Sequence, residues 1–196
     1  DLKTANTQLL ESVDLMYDLY LYLLLTFQEV KNASLSKMED RANKLRPSFE
    51  DLNPNRKFVD NSIVESITNS NPFQDLCQRR NVNWKSDERQ EIFRKLFIEI
   101  EKSEVYFEHM EAIENDFSNA KNFLVQLFRN EIANSPLVYN FFEEEEIRWM
   151  DDIDLACSMV IKTIKNIKDE GPFEFLPLYK DNDDEKEFIT TLLKQT

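Results

Sequence analysis

The sequence predicts an all-α protein, a multi-helix bundle or array of about ten helices, and three observations lead there. Only 1 of its 196 residues is glycine. Sheets use glycine at turns and bulges, and phosphate-cradling loops need it for close backbone approach. Apolar residues recur at the spacing of helix faces along most of the chain. Ser, Asn and Asp stand at the starts of these runs, where side chains cap helix ends. The 15 Phe, 6 Tyr and 2 Trp supply bulky material for a core, and the length is ample to bury one.

The first helix is expected from about Thr4 to Lys31. Its stretch "LYLYLLLTF" (19–27) is apolar nearly all round, too short to span a bilayer, and flanked by Asp18 and Glu29, which predicts a buried helix. A second, amphipathic helix is expected over about Ser34–Leu45, entered at the capping-box spacing of "SKME" (36–39) and stopped by Pro47. "RPSFEDLNPNR" (46–56) reads as a turn-rich connection. Further helices are expected near 57–69, 72–80, 86–101, 103–112, 117–133, 137–146 and 151–168. "DEGPFEFLPLYKDNDD" (169–184) is a second connection holding the only glycine, and a last helix is expected from about Asp184.

Residues 58–87 align with 123–152 without a gap, a displacement of 65 residues. Phe58, Ile67, Asn69, Ser70, Trp84 and Asp87 fall on Phe123, Ile132, Asn134, Ser135, Trp149 and Asp152. A further step of the same length lands on Phe188, where "EKEFITTLLKQT" opens an apolar stripe. The expected organisation is an N-terminal helical part (1–46), a helical insertion (47–185) with two related units (58–100 and 123–168), and the start of a cut third unit (186–196).

The formal charge of −14 disfavours capture of a phosphate backbone by the surface as a whole. Cys77 and Cys157 are far apart and lack metal-ligand neighbours, so free thiols in a reducing cytoplasm are expected. "EEEE" (143–146) points four carboxylates in four directions around a helix and reads as a solvated helix end. The only histidine, His109, has no glutamate at one-turn spacing before it and no nucleophile context. "DNDDE" (181–185) lacks the mid-loop glycine of a calcium loop and suits an acidic helix start. No cofactor, metal or catalytic residue is expected. Arg79, Arg80 and Lys85, beside Trp84 in "QRRNVNWK", are the candidate RNA-binding residues. The acids at the equivalent positions of the second stretch favour Trp84 and Trp149 as core, together with Tyr17, Tyr20 and Tyr22, whose hydroxyls are expected to reach the surface.

"YDLYLYLLL", "LNPNRKFVDN", "FLVQLFRNEI", "IRWMDDIDLACSMVIKTIK" and "FLPLYKDNDDEKEF", in this order over essentially the whole chain, resemble the long form of the NusB transcription antitermination factor family of Bacteroidetes-type bacteria. The resemblance implies an all-helical, non-catalytic cytoplasmic protein. It also implies that the parent binds boxA-type RNA together with a NusE-type ribosomal protein. The family's RNA contact uses an arginine-rich first helix, and residues 1–31 contain no arginine. No family RNA-contact residue therefore maps onto this sequence, which reads as a piece of the parent, mostly its acidic insertion, cut before the basic helix and again after Thr196. A helical-repeat interaction scaffold unrelated to transcription, resting on the period of 65 alone, is the second reading. The third is an enzyme using a carboxylate pair in an interhelical cleft, for which the sequence singles out no residues.

Overall fold

The computed structural model describes residues 2–178. Among these residues the protein is all-α, with nine α-helices, a short π segment and no strand. The helices are α1 (Leu2–Ala42), α2 (Phe49–Leu52), α3 (Ser62–Thr68), α4 (Asn71–Arg79), α5 (Asp87–Lys102), α6 (Glu104–Glu111), α7 (Phe117–Leu127), α8 (Pro136–Glu145) and α9 (Trp149–Asn166). The acidic run at 181–185 and the expected third unit (186–196) lie outside the described residues.

One helix, α1, stands where two are expected. Nothing between Lys31 and Ser36 breaks a helix, and the buried stripe continues through Val30, Ala33 and Ser34 onto the following turns. A chain break there would uncover that stripe, so "SKME" stays inside the helix and caps nothing. Helix α1 ends at Ala42, short of Pro47.

Every residue from Leu19 to Phe27 is buried, so this part of α1 has no solvent face. Helices α9, α5 and α3 pack around it. The core extends from it through Phe58, Phe73, Trp84, Phe93, Phe128 and Phe142. Two tryptophans, one in the loop before α5 and one at the start of α9, tie their segments to α1 by the same kind of bond. The indole Nε1 of Trp84 donates to the Tyr22 carbonyl at 3.1 Å, and that of Trp149 to the Leu15 carbonyl at 2.8 Å. The Tyr22 ring sits between them, with ring centroids 5.3 Å from Trp84 and 5.5 Å from Trp149. Both tryptophans are core residues, as the sequence predicts.

The Tyr17 and Tyr20 hydroxyls do not reach the surface as expected. Tyr17 Oη donates to the Leu176 carbonyl, and Tyr20 Oη bonds the Thr163 hydroxyl and accepts the Leu176 backbone N–H. Buried hydroxyls need partners, and here the extended segment after α9 provides them. That segment also lays Phe173 and Phe175 on Phe73, at 5.7 and 5.5 Å between centroids.

From α3 to α7 helices follow one another closely because each of these starts has a side-chain cap. Asn61, Ser70, Ser86, Ser103 and Asp116 accept backbone N–H groups at the entries of α3 to α7. Three boundaries differ from expectation. Residues 57–60 form a turn instead of helix, since Asn61 is the cap and Phe58 and Val59 are buried before it. Helix α9 starts at Trp149, which places Asp151 and Asp152 in its first turn. Helix α7 widens into a π segment, Phe128–Ile132, closed by the Ala133 N–H on the Phe128 carbonyl.

Both aligned stretches run helix, Asn-Ser, helix, Trp, helix. Beyond that they differ. Phe58 lies in a turn and Phe123 within α7. Ser70 caps α4 through its side chain, whereas Ser135 makes no such bond to α8. Trp84 precedes α5 in a loop, and Trp149 is the first residue of α9. A structural repeat is not shown.

Trp84→Phe and Trp149→Phe should each lower stability by about 1–3 kcal/mol in urea unfolding, from the lost indole bond and volume. Because both rings touch Tyr22, the double variant should depart from additivity by about 0.5–1 kcal/mol. Strict additivity would mean that Tyr22 does not couple them. Tyr20→Phe should cost about 1–2 kcal/mol and speed hydrogen exchange at the Leu176 amide.

Candidate functional site

Arg80, the C-cap residue of α4, is held against α1. Its Nε donates to Asp18 at 2.5 Å and its Nη2 to Asp14 at 3.3 Å, while the guanidinium lies 5.3 Å from the Tyr17 ring centre. Arg79 ends α4 and is exposed; Lys85 is exposed in the loop after Trp84. Lys85 faces Glu29, a buried carboxylate that accepts from Gln90 Nε2 at 2.7 Å. Burial pushes the Glu29 carboxyl up, against the pull of Gln90, Asn32 and Lys85. The three residues predicted from sequence therefore do not make one free basic face, because Arg80 is already engaged by two carboxylates.

His109 is buried on α6 and stacks flat on Phe123, with centroids 3.7 Å apart and planes 5° apart. Its Nε2 has no hydrogen-bond partner. Burial, helped by nearby Lys57, lowers the ring from its ordinary value to about 4. The ring is thus neutral at physiological pH and acts as an aromatic packing surface. Cys77 and Cys157 are free, and burial raises their thiols to about 12 and about 11, far from thiolate reactivity. In "EEEE", Glu143 and Glu144 are exposed, Glu145 pairs with Arg89 at 2.7 Å and Glu146 with Arg148 at 2.9 Å. Among the described residues no group of three His, Cys, Asp or Glu side chains is placed to hold a metal ion. No helix among them is long and apolar enough to cross a membrane.

The most elaborated polar arrangement lies where the end of α1 meets α2, α5 and α6. Asp51 of α2 is 5 % exposed and accepts from Arg41 Nε at 2.8 Å, Lys44 Nζ at 3.0 Å and the Ser48 backbone N–H at 3.1 Å. Ser48 Oγ accepts the Asp51 N–H in return, a reciprocal box that closes the start of α2. Arg41 first, then the Ser48 N–H and Lys44, hold the Asp51 carboxyl well below the usual carboxylate range. Lys37 of α1 pairs with Glu101 of α5. The connection to α3 is fastened to the end of α6 by Asn55 Nδ2 on the Met110 carbonyl and Lys57 Nζ on the Ala112 carbonyl. These bonds frame a pocket of about 420 Å³. Sequence reading missed it because "SFED" (48–51) lies in a stretch that reads as turn, and its box uses Asp in place of the Glu or Gln of the usual pattern.

His109 gives a measurable pH dependence. The unfolded ring titrates near 6.5 and the folded one at about 4. Between these values the unfolded chain binds more protons, so the His109 contribution is complete above pH 6.5 and is lost as pH falls towards 4. Glu29 and Asp18, raised by burial, contribute the opposite slope, so the test is the difference between wild type and His109→Phe. Urea unfolding should show wild type losing about 2–3 kcal/mol relative to the variant across that window. Parallel curves would contradict the buried neutral ring.

No protein-family model matches the chain, and comparison with curated proteins and with solved structures found no match either.

Proposed function

We propose that the chain is a non-catalytic helical part of a NusB-like transcription antitermination factor, whose intact form binds boxA-type RNA together with a NusE-type ribosomal protein. The observation that carries this reading is the ordered series of sequence motifs. Several of them supply joints of the fold, which supports reading them as one family pattern. Within "LNPNRKFVDN", Asn55 and Lys57 fasten α6, and Asn61 caps α3. "IRWMDDID" begins α9 and contains the Trp149 anchor on α1. "FLPLY" places Leu176 on Tyr17 and Tyr20 of "YDLYLYLLL".

In this reading the described helices serve protein contact or spacing, not RNA capture. The charge of −14 and the engagement of Arg80 by Asp14 and Asp18 support that division. The second reading is a helical-repeat interaction scaffold. It is favoured by the paired indole bonds of Trp84 and Trp149, which lie 65 residues apart in sequence and meet carbonyls seven residues apart on α1.

Fluorescence anisotropy with boxA-like RNA, with and without the NusE-type protein, separates the two. The intact factor should bind the RNA sequence-selectively, and more tightly with the ribosomal protein present. The 196-residue chain alone should bind weakly or not at all near 0.15 M salt. Absence of sequence-selective binding by the intact factor would overturn the antitermination reading.

A further inference from the structure

The pocket between the end of α1, α2 and the α5–α6 pair holds hydrogen-bonding capacity that the fold leaves unused. Ser34 is 1 % exposed, lines the pocket, and its Oγ has no partner. A buried hydroxyl without a partner costs about 1–3 kcal/mol unless something outside the fold supplies one. Tyr106 also lines the pocket, and its hydroxyl makes no hydrogen bond among the described residues.

The charge of the lining is unbalanced. Lys37 and Arg41 face Glu50, Asp51, Glu101 and Glu111. The two cations are taken by Glu101 and Asp51, to which Lys44 adds a further cation from outside the lining. Glu50 and Glu111 form no ion pair among the described residues. The Glu50 carboxyl is held below its usual range by its own backbone N–H and the Ser48 hydroxyl, so it stays charged. Between these polar groups lie Met38, Met110 and Phe97, which suit an aliphatic stem.

Large apolar side chains stand exposed on α2 and α6, two of the elements that line the pocket. Asp51 turns inward on α2, and its neighbours Phe49 and Leu52, three residues apart on one face, are 75 % and 57 % exposed. On α6, Phe107 is 64 % exposed and shares a stripe with Met110 and Glu111 of the lining. A free small cation would use the acids and leave these rings in water. A protein segment uses both.

We infer that this pocket is a docking site for an arginine side chain of a basic partner protein, with large apolar residues flanking that arginine resting on Phe49, Leu52 and Phe107. Guanidinium offers five donors in a planar fork and sheds water more readily than ammonium. Ser34 Oγ, Tyr106 Oη and the two unpaired carboxylates are acceptors for those donors. The net charge of −14 adds long-range attraction for a basic partner. The inference rests on protein contact by this helical part and not on RNA recognition, so the RNA experiment can fail without touching it.

The test is an NMR titration of the isotope-labelled 196-residue chain with acetyl-Leu-Phe-Arg-Leu-Phe-amide. Its twins carry citrulline, which keeps the shape and removes the charge, or glutamate at the central position. Saturable shifts are expected at the Ser34, Tyr106 and Glu111 amides. Binding should weaken about tenfold with the citrulline peptide, and similarly in the Glu50→Gln/Glu111→Gln variant. Both substituted glutamates are exposed, and an unchanged far-UV spectrum checks the fold. Ser34→Ala should weaken binding about threefold. The inference is overturned if no saturable shift appears, or if the citrulline or glutamate peptide binds as well as the arginine one. It is equally overturned if shifts are confined to Phe49, Leu52 and Phe107 and follow protein concentration without peptide, since that is self-association.

Discussion

Burying residues 19–27 of α1 on every side imposes two demands that the rest of the fold answers. The first is coverage: Leu19 to Phe27 present apolar groups in all directions, so helices must surround them. Each large side chain so buried contributes about 1.5–3 kcal/mol, an upper estimate because the unfolded chain already hides part of this surface. The second is polar satisfaction. Tyr17, Tyr20 and Thr26 bring hydroxyls into the same region, and each must find an acceptor or a donor there. Thr26 bonds back to the Leu23 carbonyl, while the tyrosines draw in Thr163 of α9 and the Leu176 backbone. Coverage alone would permit many packings of amphipathic helices. The directional bonds select one.

The helical character of the chain, the buried first helix and the core role of both tryptophans were legible because they depend on local periodicity and bulk. Boundaries were less so. Ser36 and Glu39 have the spacing of a helix start, yet tertiary burial of Val30, Ala33 and Ser34 keeps the helix running through them. Conversely, Ser48 and Asp51 do form a reciprocal cap, in a segment whose prolines and asparagines dominate its local signal. The pairing of Arg80 with Asp14 and Asp18 spans more than sixty residues and has no local signature. The unpartnered Ser34 hydroxyl is equally invisible, because an absent bond leaves no pattern in the sequence.

At least four of the 24 Lys and Arg residues in this acidic chain are structural joints. Arg41, Arg80, Arg89 and Lys37 each join two elements through a carboxylate. Arg89 also donates to the Asn83 carbonyl at 2.7 Å and lies 5.1 Å from the Phe141 ring centre, linking the loop before α5 to α8. Cations held this way are fixed in direction and partly neutralised. What faces outward is then dominated by the excess of carboxylates, which governs the sign of whatever surface can approach.

The two indole bonds have a mechanical consequence. They grip α1 at carbonyls seven residues apart, on nearly the same side of the helix, one from the loop before α5 and one from the start of α9. Sliding α1 by one residue moves it about 1.5 Å and turns it about 100°, which breaks both grips at once. Helix α1 is therefore keyed like a shaft, unable to rotate or creep within its sleeve without unseating both tryptophans. Its 41 residues extend about 60 Å, from an exposed beginning to the turns that carry Ser34, Lys37 and Arg41. Torque on α1 is therefore met by these two indole bonds.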